Sequence, residues 1–179
     1  MSCPRPMLIR AATAADLPHI TAIYAQAVRE GTASFELVPP GREEMARRMA
    51  AIADQGYPYL AAEIDGAFAG YAYASAFRPR AAYRHTVEDS IYVAAAFHGR
   101  GIGRALLDAL IDACERRGYR QMVAVIGDSA NEGSIALHRA CGFAHMGTLA
   151  ATGLKFGRWV DTVLMQRPLG PGASDIPGM

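Results

Sequence analysis

Residues 98–104 read HGRGIGR and lie between a strand-like run, DSIYV, and a helix-like run, ALLDALIDACERRG. A strand that leads through a glycine-rich turn into a helix presents free backbone N–H groups and the positive end of the helix dipole at one point, which suits a phosphate. Gly99, Gly101 and Gly103 leave room for close approach, while Arg100 and Arg104 can reach additional phosphate charge. The segment therefore predicts an anion-binding loop.

Three kinds of phosphate-binding loop can be compared with this segment. A Walker-type loop needs a G-K-[ST] ending, which is absent. A dinucleotide loop needs G-x-G-x-x-G/A, and the two possible registers place Arg104 or Leu106 at the last position. The pyrophosphate loop of acyl-CoA enzymes, Q/R-x-x-G-x-G/A, matches at Gly101 and Gly103 and departs at His98. The third type of loop fits the segment best.

Two consecutive carboxylates lie in the run TVEDSIYV, residues 86–93. Because side chains alternate along a strand, Glu88 and Asp89 are predicted to face opposite sides of the sheet. A carboxylate at such a position either acts as a general base or bonds to a neighbouring strand or an arginine.

Three arginines precede that strand in FRPRAAYRH: Arg78, Arg80 and Arg84. Guanidinium groups hold carboxylates and phosphorus or sulfur oxyanions in a bidentate way, so this segment suits a small ligand with an anionic or strongly polar side chain. We expect Arg78 and Arg84 to bind that ligand; a solvated basic loop is the alternative.

The elements that must position these residues follow from periodicity and from turn signals. The first half predicts a strand at MLIRAA, a helix capped by Thr13 or Asp16, a second helix over residues 42–56, and a hairpin turning at Asp65-Gly66. The second half predicts strand 86–93, a helix after the glycine loop, strand 121–127, a short helix, and two final strands.

The short helix in the second half carries an S-x-x-E signature, which predicts a capping box between Ser129 and Glu132. Strands outnumber helices and mostly form hairpins, so the fold class is α+β with a mixed sheet. Residues 1–167 are predicted to form one domain, and the Pro/Gly-rich residues 168–179 a mobile tail.

Composition narrows the class of protein further. A chain of 179 residues with 51% hydrophobic residues suits a single well-cored domain, and a net charge of +1 favours neither nucleic acid nor an anionic membrane as partner. No apolar run approaches the roughly 20 residues of a membrane helix. Cys3, Cys114 and Cys141 suit reduced thiols, and the dispersed histidines suggest no metal site. We therefore expect a cytoplasmic protein without a metal.

A longer stretch, SIYVAAAFHGRGIGRALLDALIDACERRGY followed by NEGSIALHRACGF, resembles the acetyl-CoA-binding core of the GNAT superfamily of N-acetyltransferases. Within that superfamily, the protein is most similar to the phosphinothricin and methionine sulfoximine N-acetyltransferases, which the segments TASFE, YRHTVEDSIYV, VAVIG and GLKFGRWVD resemble. The resemblance covers almost the whole chain. It implies a mixed, largely antiparallel sheet of about seven strands flanked by about four helices, acetyl-CoA as co-substrate, and a homodimer.

The resemblance also implies roles for individual residues. Glu88 matches the general base, acting directly or through water. His138 replaces the tyrosine that protonates the departing thiolate in many GNAT enzymes, and a merely structural histidine is the alternative. Expected contacts to acetyl-CoA come from Ile91, Tyr92, Val93, His98, Gly99, Arg100, Gly101, Ile102, Gly103, Arg104 and Asn131.

On the acceptor side, Phe35 is expected to form a wall of the pocket, and Arg78 and Arg84 to bind the acceptor. Lys155, Phe156 and Trp159 are expected near the acceptor or the dimer interface. The implied reaction is direct acetyl transfer to the amine of a small amino-acid analogue. The alternatives are acetylation of a protein N-terminus or another amine, and a non-catalytic acyl-CoA-binding sensor.

Overall fold

A computed structural model describes residues 7–178. It contains a seven-stranded sheet in the order β1-β2-β3-β4-β5-β7-β6. The strands are β1 (Met7–Ala11), β2 (Tyr59–Ile64), β3 (Ala67–Ala76), β4 (Thr86–Val93), β5 (Gln121–Gly127), β6 (Ala144–Lys155) and β7 (Arg158–Pro168). The helices are α1 (Leu17–Glu30), α2 (Arg42–Asp54), α3 (Ile102–Glu115) and α4 (Glu132–Ala140). The predicted α+β class with a mixed sheet is confirmed.

Helices cover both faces of the sheet. Successive side chains of β3 alternate, so Ala72 and Ala74 pack with the apolar face of α3, while Tyr71 packs with Ile20 of α1 and Met45 of α2. Burial of these two apolar layers is the main favourable term in the stability of the domain.

The β2–β3 hairpin turns where the sequence predicts it. Asp65 and Gly66 have φ angles of 52° and 77°, the positive pair that a two-residue type I′ turn requires. This turn twists in the same sense as the strands it joins, so a local signal sets the pairing of β2 and β3.

The single parallel pair in the described sheet is β4 with β5, and it is short. Pairing covers Thr86 with Gln121, Val87 with Met122, and Glu88 with Val123. Beyond Glu88 both strands continue, to Val93 and to Gly127, without pairing to each other in the part of the chain that the structure describes. An opening therefore begins in the middle of the sheet beside Glu88.

The cap of α4 differs from the prediction. Asn131, not Ser129, is the N-cap, and its side chain accepts a 3.3 Å hydrogen bond from the backbone N–H of Ser134. The hydroxyl of Ser129 instead donates a 2.7 Å hydrogen bond to Asp161 of β7. A charged carboxylate is a stronger acceptor than a backbone group. Asp161 is 32 residues from Ser129, so a local sequence signature does not reveal this contact.

The segment predicted to be a mobile tail begins inside the core. Leu169 is fully buried, its N–H donates a 2.9 Å hydrogen bond to the carbonyl of Arg120, and the guanidinium of Arg120 pairs with Asp175 at 2.6 Å. The boundary near residue 167 remains a prediction, but Leu169 packs with the domain. Within residues 7–178, none of the helices has the length and apolar composition that crossing a membrane requires.

Candidate active site

A cavity of about 770 Å³ lies where β4 and β5 separate. Its walls come from β4 and β5, the loop before α3, the N-terminal part of α4, and the end of α1 with the loop that follows it. It brings together most of the predicted site residues: Glu88, Ile91, Tyr92, Val93, His98, Gly99, Gly101, Ile102, Gly103, Asn131 and His138. The predicted residues Arg100 and Arg104 do not line it.

The backbone of β4 offers hydrogen-bonding groups to this cavity. The N–H of Ala94 donates to the carbonyl of Ala69 in β3, at 2.9 Å. Because backbone polar groups alternate in direction along an antiparallel pair, those of Ile91 and Val93 face away from β3, towards the opening, and those of Tyr92 face β3. The ring of His98 accordingly lies 2.9 Å from the carbonyl of Val93. Of the three residues of β4 that are expected to contact acetyl-CoA, Ile91 and Val93 direct their backbone groups towards the cavity, and Tyr92 does not.

The glycine loop has two distinct structural requirements. Gly99 and Gly101 have φ angles of 74° and 80°, which favour glycine, and Gly101 is the N-cap of α3. At Gly103 a Cβ would lie 3.2 Å from the side chain of Leu137, so this glycine allows α3 to approach α4. The first N–H groups of α3 lack acceptors within the helix and are available to an anion.

The two arginines of this loop are engaged on the surface. The guanidinium of Arg100 lies 5.4 Å from the centroid of the Phe97 ring, and Arg104 donates a 2.9 Å hydrogen bond to Asp108. Both side chains are exposed, so each can turn towards a phosphate only by leaving a weak surface contact.

Glu88 is a partly buried carboxylate in the wall of the cavity. It occupies the last position of β4 that pairs with β5. Its pKa is raised to about 7, mainly by burial and also by the neighbouring charge of Asp89, while the charge of Arg78 opposes both effects. A general base is most effective when its pKa lies near the working pH, so Glu88 has the position and the acidity that proton abstraction needs.

Asp89 faces the other side of β4 and bonds to His138. The Nε2 atom of His138 lies 2.9 Å from a carboxylate oxygen of Asp89, and Nδ1 lies 2.7 Å from the backbone carbonyl of Ser134. Burial by itself would lower the pKa of His138, but the hydrogen bond and charge of Asp89 outweigh that effect and raise it. Alternation along the strand predicts the separation of the two carboxylates, whereas the partner of Asp89 was not predicted.

The loop between α1 and α2 forms another part of the wall and is held by β5 and β6. The ammonium of Lys155 donates a 2.6 Å hydrogen bond to the carbonyl of Ser34. Phe35 packs closely against Gly127 and Gly153, where a Cβ would lie 2.9 Å and 2.5 Å from its ring. Phe35 and Lys155 therefore hold this loop in place, and neither lines the cavity.

A second anchor of the same loop was missed from the sequence. One carboxylate oxygen of Glu36 accepts hydrogen bonds from the hydroxyl of Tyr24 at 2.8 Å and from the guanidinium of Arg48 at 2.6 Å. Tyr24 and Arg48 each lie 12 residues from Glu36 along the chain, a distance at which helical or strand periodicity gives no signal.

Comparison with known proteins adds independent information. Residues 9–164 match the model of the acetyltransferase (GNAT) domain. A phosphinothricin N-acetyltransferase of Alcaligenes faecalis is 57% identical over 162 residues, which cover 90% of this chain and 82% of that protein. The chain belongs to the GNAT family of acetyltransferases.

Two further GNAT proteins extend the comparison. An L-methionine sulfoximine/L-methionine sulfone acetyltransferase of Pseudomonas paraeruginosa is 44% identical over 93% of this chain and 96% of its own length. The crystal structure of a phosphinothricin acetyltransferase from Sinorhizobium meliloti in complex with acetyl-CoA has a TM-score of 0.93 and 53% identity, covering 96% of this chain and 93% of that one. These findings confirm the predicted family, fold and class of enzyme.

The co-substrate of GNAT enzymes is acetyl-CoA, and the residues of this cavity fit it. The N-terminus of α3 and the loop at Gly99 and Gly101 suit a pyrophosphate, and the backbone N–H groups of Ile91 and Val93, which face away from β3, suit the amides and thioester of an extended arm. Within residues 7–178, no three His, Cys, Asp or Glu side chains lie together in a way that could hold a metal ion.

The remaining predicted acceptor residues of the GNAT domain lie in three places. Arg78 stacks on Phe77, 5.2 Å from the ring centroid, and is close enough to Glu88 to lower its pKa. Arg84 lines a different cavity, of about 560 Å³, formed with residues 115–120 and the C-terminal segment. Phe156 and Trp159 are exposed in the β6–β7 hairpin, at 56% and 64%. Of these four residues, Arg78 is the one that acts electrostatically on Glu88.

Proposed function

We propose that this GNAT enzyme acetylates the amine of a small amino-acid analogue of the phosphinothricin or methionine sulfoximine type. The observation that carries this proposal is Glu88, a carboxylate with a pKa of about 7 in the wall of the cavity where β4 and β5 separate. The curated relatives at 57% and 44% identity, which are named for those two acceptors, support the substrate class.

The proposed reaction is direct transfer between two bound substrates. Glu88 takes a proton from the ammonium of the acceptor, directly or through water, so that the nitrogen lone pair can attack the thioester carbonyl. The backbone N–H groups of Ile91 and Val93 face the place where the carbonyl oxygen gains charge, and donors there stabilise the tetrahedral intermediate. The attack forms a new N–C bond. The C–S bond then breaks, and its electron pair leaves with the sulfur.

Recognition of the acceptor depends on the anionic groups that such analogues carry. Arg78 is the predicted binding residue that interacts electrostatically with Glu88, and we assign it the carboxylate or the phosphorus or sulfur oxyanion. The loop around Ser34, held by Lys155 and Phe35, forms the opposite wall. Arg84 has no part in this proposal.

The same proposal includes a homodimer in the cytoplasm. β6 is an edge strand, and its hairpin with β7 exposes five large apolar side chains: Met146, Leu149, Leu154, Phe156 and Trp159. Several large apolar side chains exposed on one hairpin are typical of a protein–protein interface. The free, buried thiols of Cys114 and Cys141 support a reducing compartment.

The test is thiol release from acetyl-CoA with a panel of phosphinothricin, methionine sulfoximine, common amino acids and a short peptide. We expect turnover with the first two, and a loss of about 10²–10⁴-fold in Glu88→Gln. The control is Glu43→Gln, which changes an exposed carboxylate of α2. Turnover of the peptide alone would replace the proposal with protein acetylation, and binding of acetyl-CoA without any turnover would replace it with a sensor.

A further inference from the structure

We propose that Asp89 is a positioning residue for acetyl transfer, which keeps His138 doubly protonated and directed at β4. His138 then contributes a fixed positive charge to the cavity and does not donate a proton to the departing thiolate. This inference rests on the proposed function, and it changes the role that the family resemblance implies for His138.

The hydrogen bonds of the ring determine its protonation. The nearest partner of Nδ1 is the backbone carbonyl of Ser134, at 2.7 Å, whereas the Ser134 hydroxyl lies 3.4 Å away. A carbonyl can only accept, so Nδ1 carries a proton. The partner of Nε2 is a carboxylate oxygen of Asp89, at 2.9 Å. A carboxylic acid is ordinarily far more acidic than an imidazolium, so the shared proton lies on Nε2. Both nitrogens are then donors, and the ring is a cation.

The charge of Asp89 is balanced by this ring. One carboxylate oxygen of Asp89 is buried and has no hydrogen-bond partner among residues 7–178, and the other bonds to His138. Both side chains of the pair are almost fully buried, with exposed fractions of 2% for Asp89 and 5% for His138. Moving the Nε2 proton elsewhere would leave a buried, uncompensated carboxylate, which is costly.

Titratable groups on the neighbouring elements surround the pair, and one of them, Arg117 near the thiol of Cys114, is a cation. β4 contributes Glu88, which interacts with Asp89 from the other face, and α3 contributes Cys114, whose thiol also interacts with Asp89. The segment of β5 that lines the cavity, residues 124–127, is not titratable. Phe143 contacts the imidazole edge-on, with ring centroids 5.0 Å apart, and this fixes the ring plane.

A fixed positive charge on His138 would stabilise the negative charges that develop during acetyl transfer. The thioester oxygen becomes negative in the tetrahedral intermediate, and the sulfur becomes negative as the C–S bond breaks. His138 lines the same cavity as Glu88, so its charge stabilises both without being consumed. The proton from the acceptor amine goes to Glu88, and the thiolate takes a proton from water after it leaves.

The decisive measurement is the ¹⁵N spectrum of the His138 ring in the intact wild-type protein between pH 6 and pH 9. We expect both ring nitrogens to carry protons throughout this range. A neutral ring, with one unprotonated nitrogen at pH 8, would overturn the proposal. This readout needs no variant and no activity, so it decides the charge state of His138 even if acetyl transfer itself is not observed and the proposed function fails.

Kinetics then test the positioning role. In Asp89→Asn, His138 loses its carboxylate, so kcat should fall by about 10- to 100-fold at pH 8 and less below pH 6.5, where a free imidazole is protonated. The KM for acetyl-CoA should change by no more than about twofold, and Asp89→Glu should recover part of kcat. An equal loss at every pH would mean that the pair is only structural, and would contradict the proposal.

Discussion

Glu88 and Asp89 are consecutive residues of β4 whose carboxylates lie on opposite faces of the sheet. Glu88 lines the cavity with a pKa raised to about 7 by burial, whereas Asp89 bonds to the imidazole of His138 at 2.9 Å. The charge of Asp89 is one of the causes of the raised pKa of Glu88. One strand therefore supplies a carboxylate able to take up a proton and, next to it, a carboxylate hydrogen-bonded to a buried imidazole.

The pH dependence of kcat/KM should report the ionisation of Glu88. The base must be unprotonated, so kcat/KM should rise with pH through a midpoint near pH 7. At higher pH, the ionisation of the acceptor amine should limit kcat/KM. Arg78 lowers the pKa of Glu88, so Arg78→Ala should move this midpoint to higher pH. Arg80→Ala, two residues along the same exposed loop, should leave it in place. A midpoint near pH 4.5 in the wild type would exclude Glu88 as a buried base.

Replacing the base should stabilise the protein at high pH. Burial raises the pKa of Glu88 from an ordinary 4.5 to about 7, so the folded state disfavours the ionised form. The resulting cost is absent below pH 4.5 and grows until the pH exceeds 7. Glu88→Gln should therefore raise the free energy of unfolding in urea by about 1–3 kcal/mol at pH 8 and leave it nearly unchanged at pH 4. The exposed substitution Glu43→Gln should show no such pH-dependent gain.

Gly127→Ala should disturb the loop between α1 and α2. The added Cβ would lie 2.0 Å from the carbonyl oxygen of Thr32 and 2.9 Å from the Phe35 ring, so the loop must move or β5 must distort. We expect a loss of about 1–3 kcal/mol in the free energy of unfolding and a raised KM for the acceptor. Gly147→Ala is the matched control in β6, because its Cβ would meet nothing within 4 Å.

Lys155→Met should affect the acceptor more than acetyl-CoA. Methionine retains an unbranched side chain but cannot donate the 2.6 Å hydrogen bond to the carbonyl of Ser34. The loop should become more mobile, and the KM for the acceptor should rise by roughly tenfold, about 1.4 kcal/mol, with the KM for acetyl-CoA unchanged. Lys155→Arg, which keeps a donor, should lose less. Equal effects on both substrates would argue against a role confined to this loop.

The exposed face of the β6–β7 hairpin should set the oligomeric state. Leu154 and Trp159 are partners in the register of this hairpin, with exposed fractions of 58% and 64%. Leu154→Lys should convert the proposed dimer to a monomer, measured by sedimentation velocity, because a charge would be buried in an apolar interface. Leu8→Lys changes an exposed leucine of β1 at the other edge of the sheet and should leave the dimer intact. A wild-type monomer at micromolar concentration would contradict the dimer.

Features encoded in neighbouring residues were predictable from the sequence. Strands 86–93 and 121–127 have the predicted bounds, and the hairpin turns at Asp65-Gly66. The glycine loop before α3 and the opposite orientation of Glu88 and Asp89 also follow from local pattern. Each depends on backbone preferences or on side-chain alternation over a few residues, which is information that a short stretch of sequence contains.

Features that depend on the approach of distant segments were decided by the tertiary structure. Lys155 contacts Ser34 across 121 residues of sequence, and His138 contacts Asp89 across 49. The family resemblance implied a place for Lys155 near the acceptor or the dimer interface and a proton-donating role for His138. Packing buries both side chains, and a buried ammonium or imidazole must bond to whichever acceptor the fold places beside it. The sequence alone identified the residues with reactive groups, but only the fold determined which of those groups face the cavity and which are held in place by a partner.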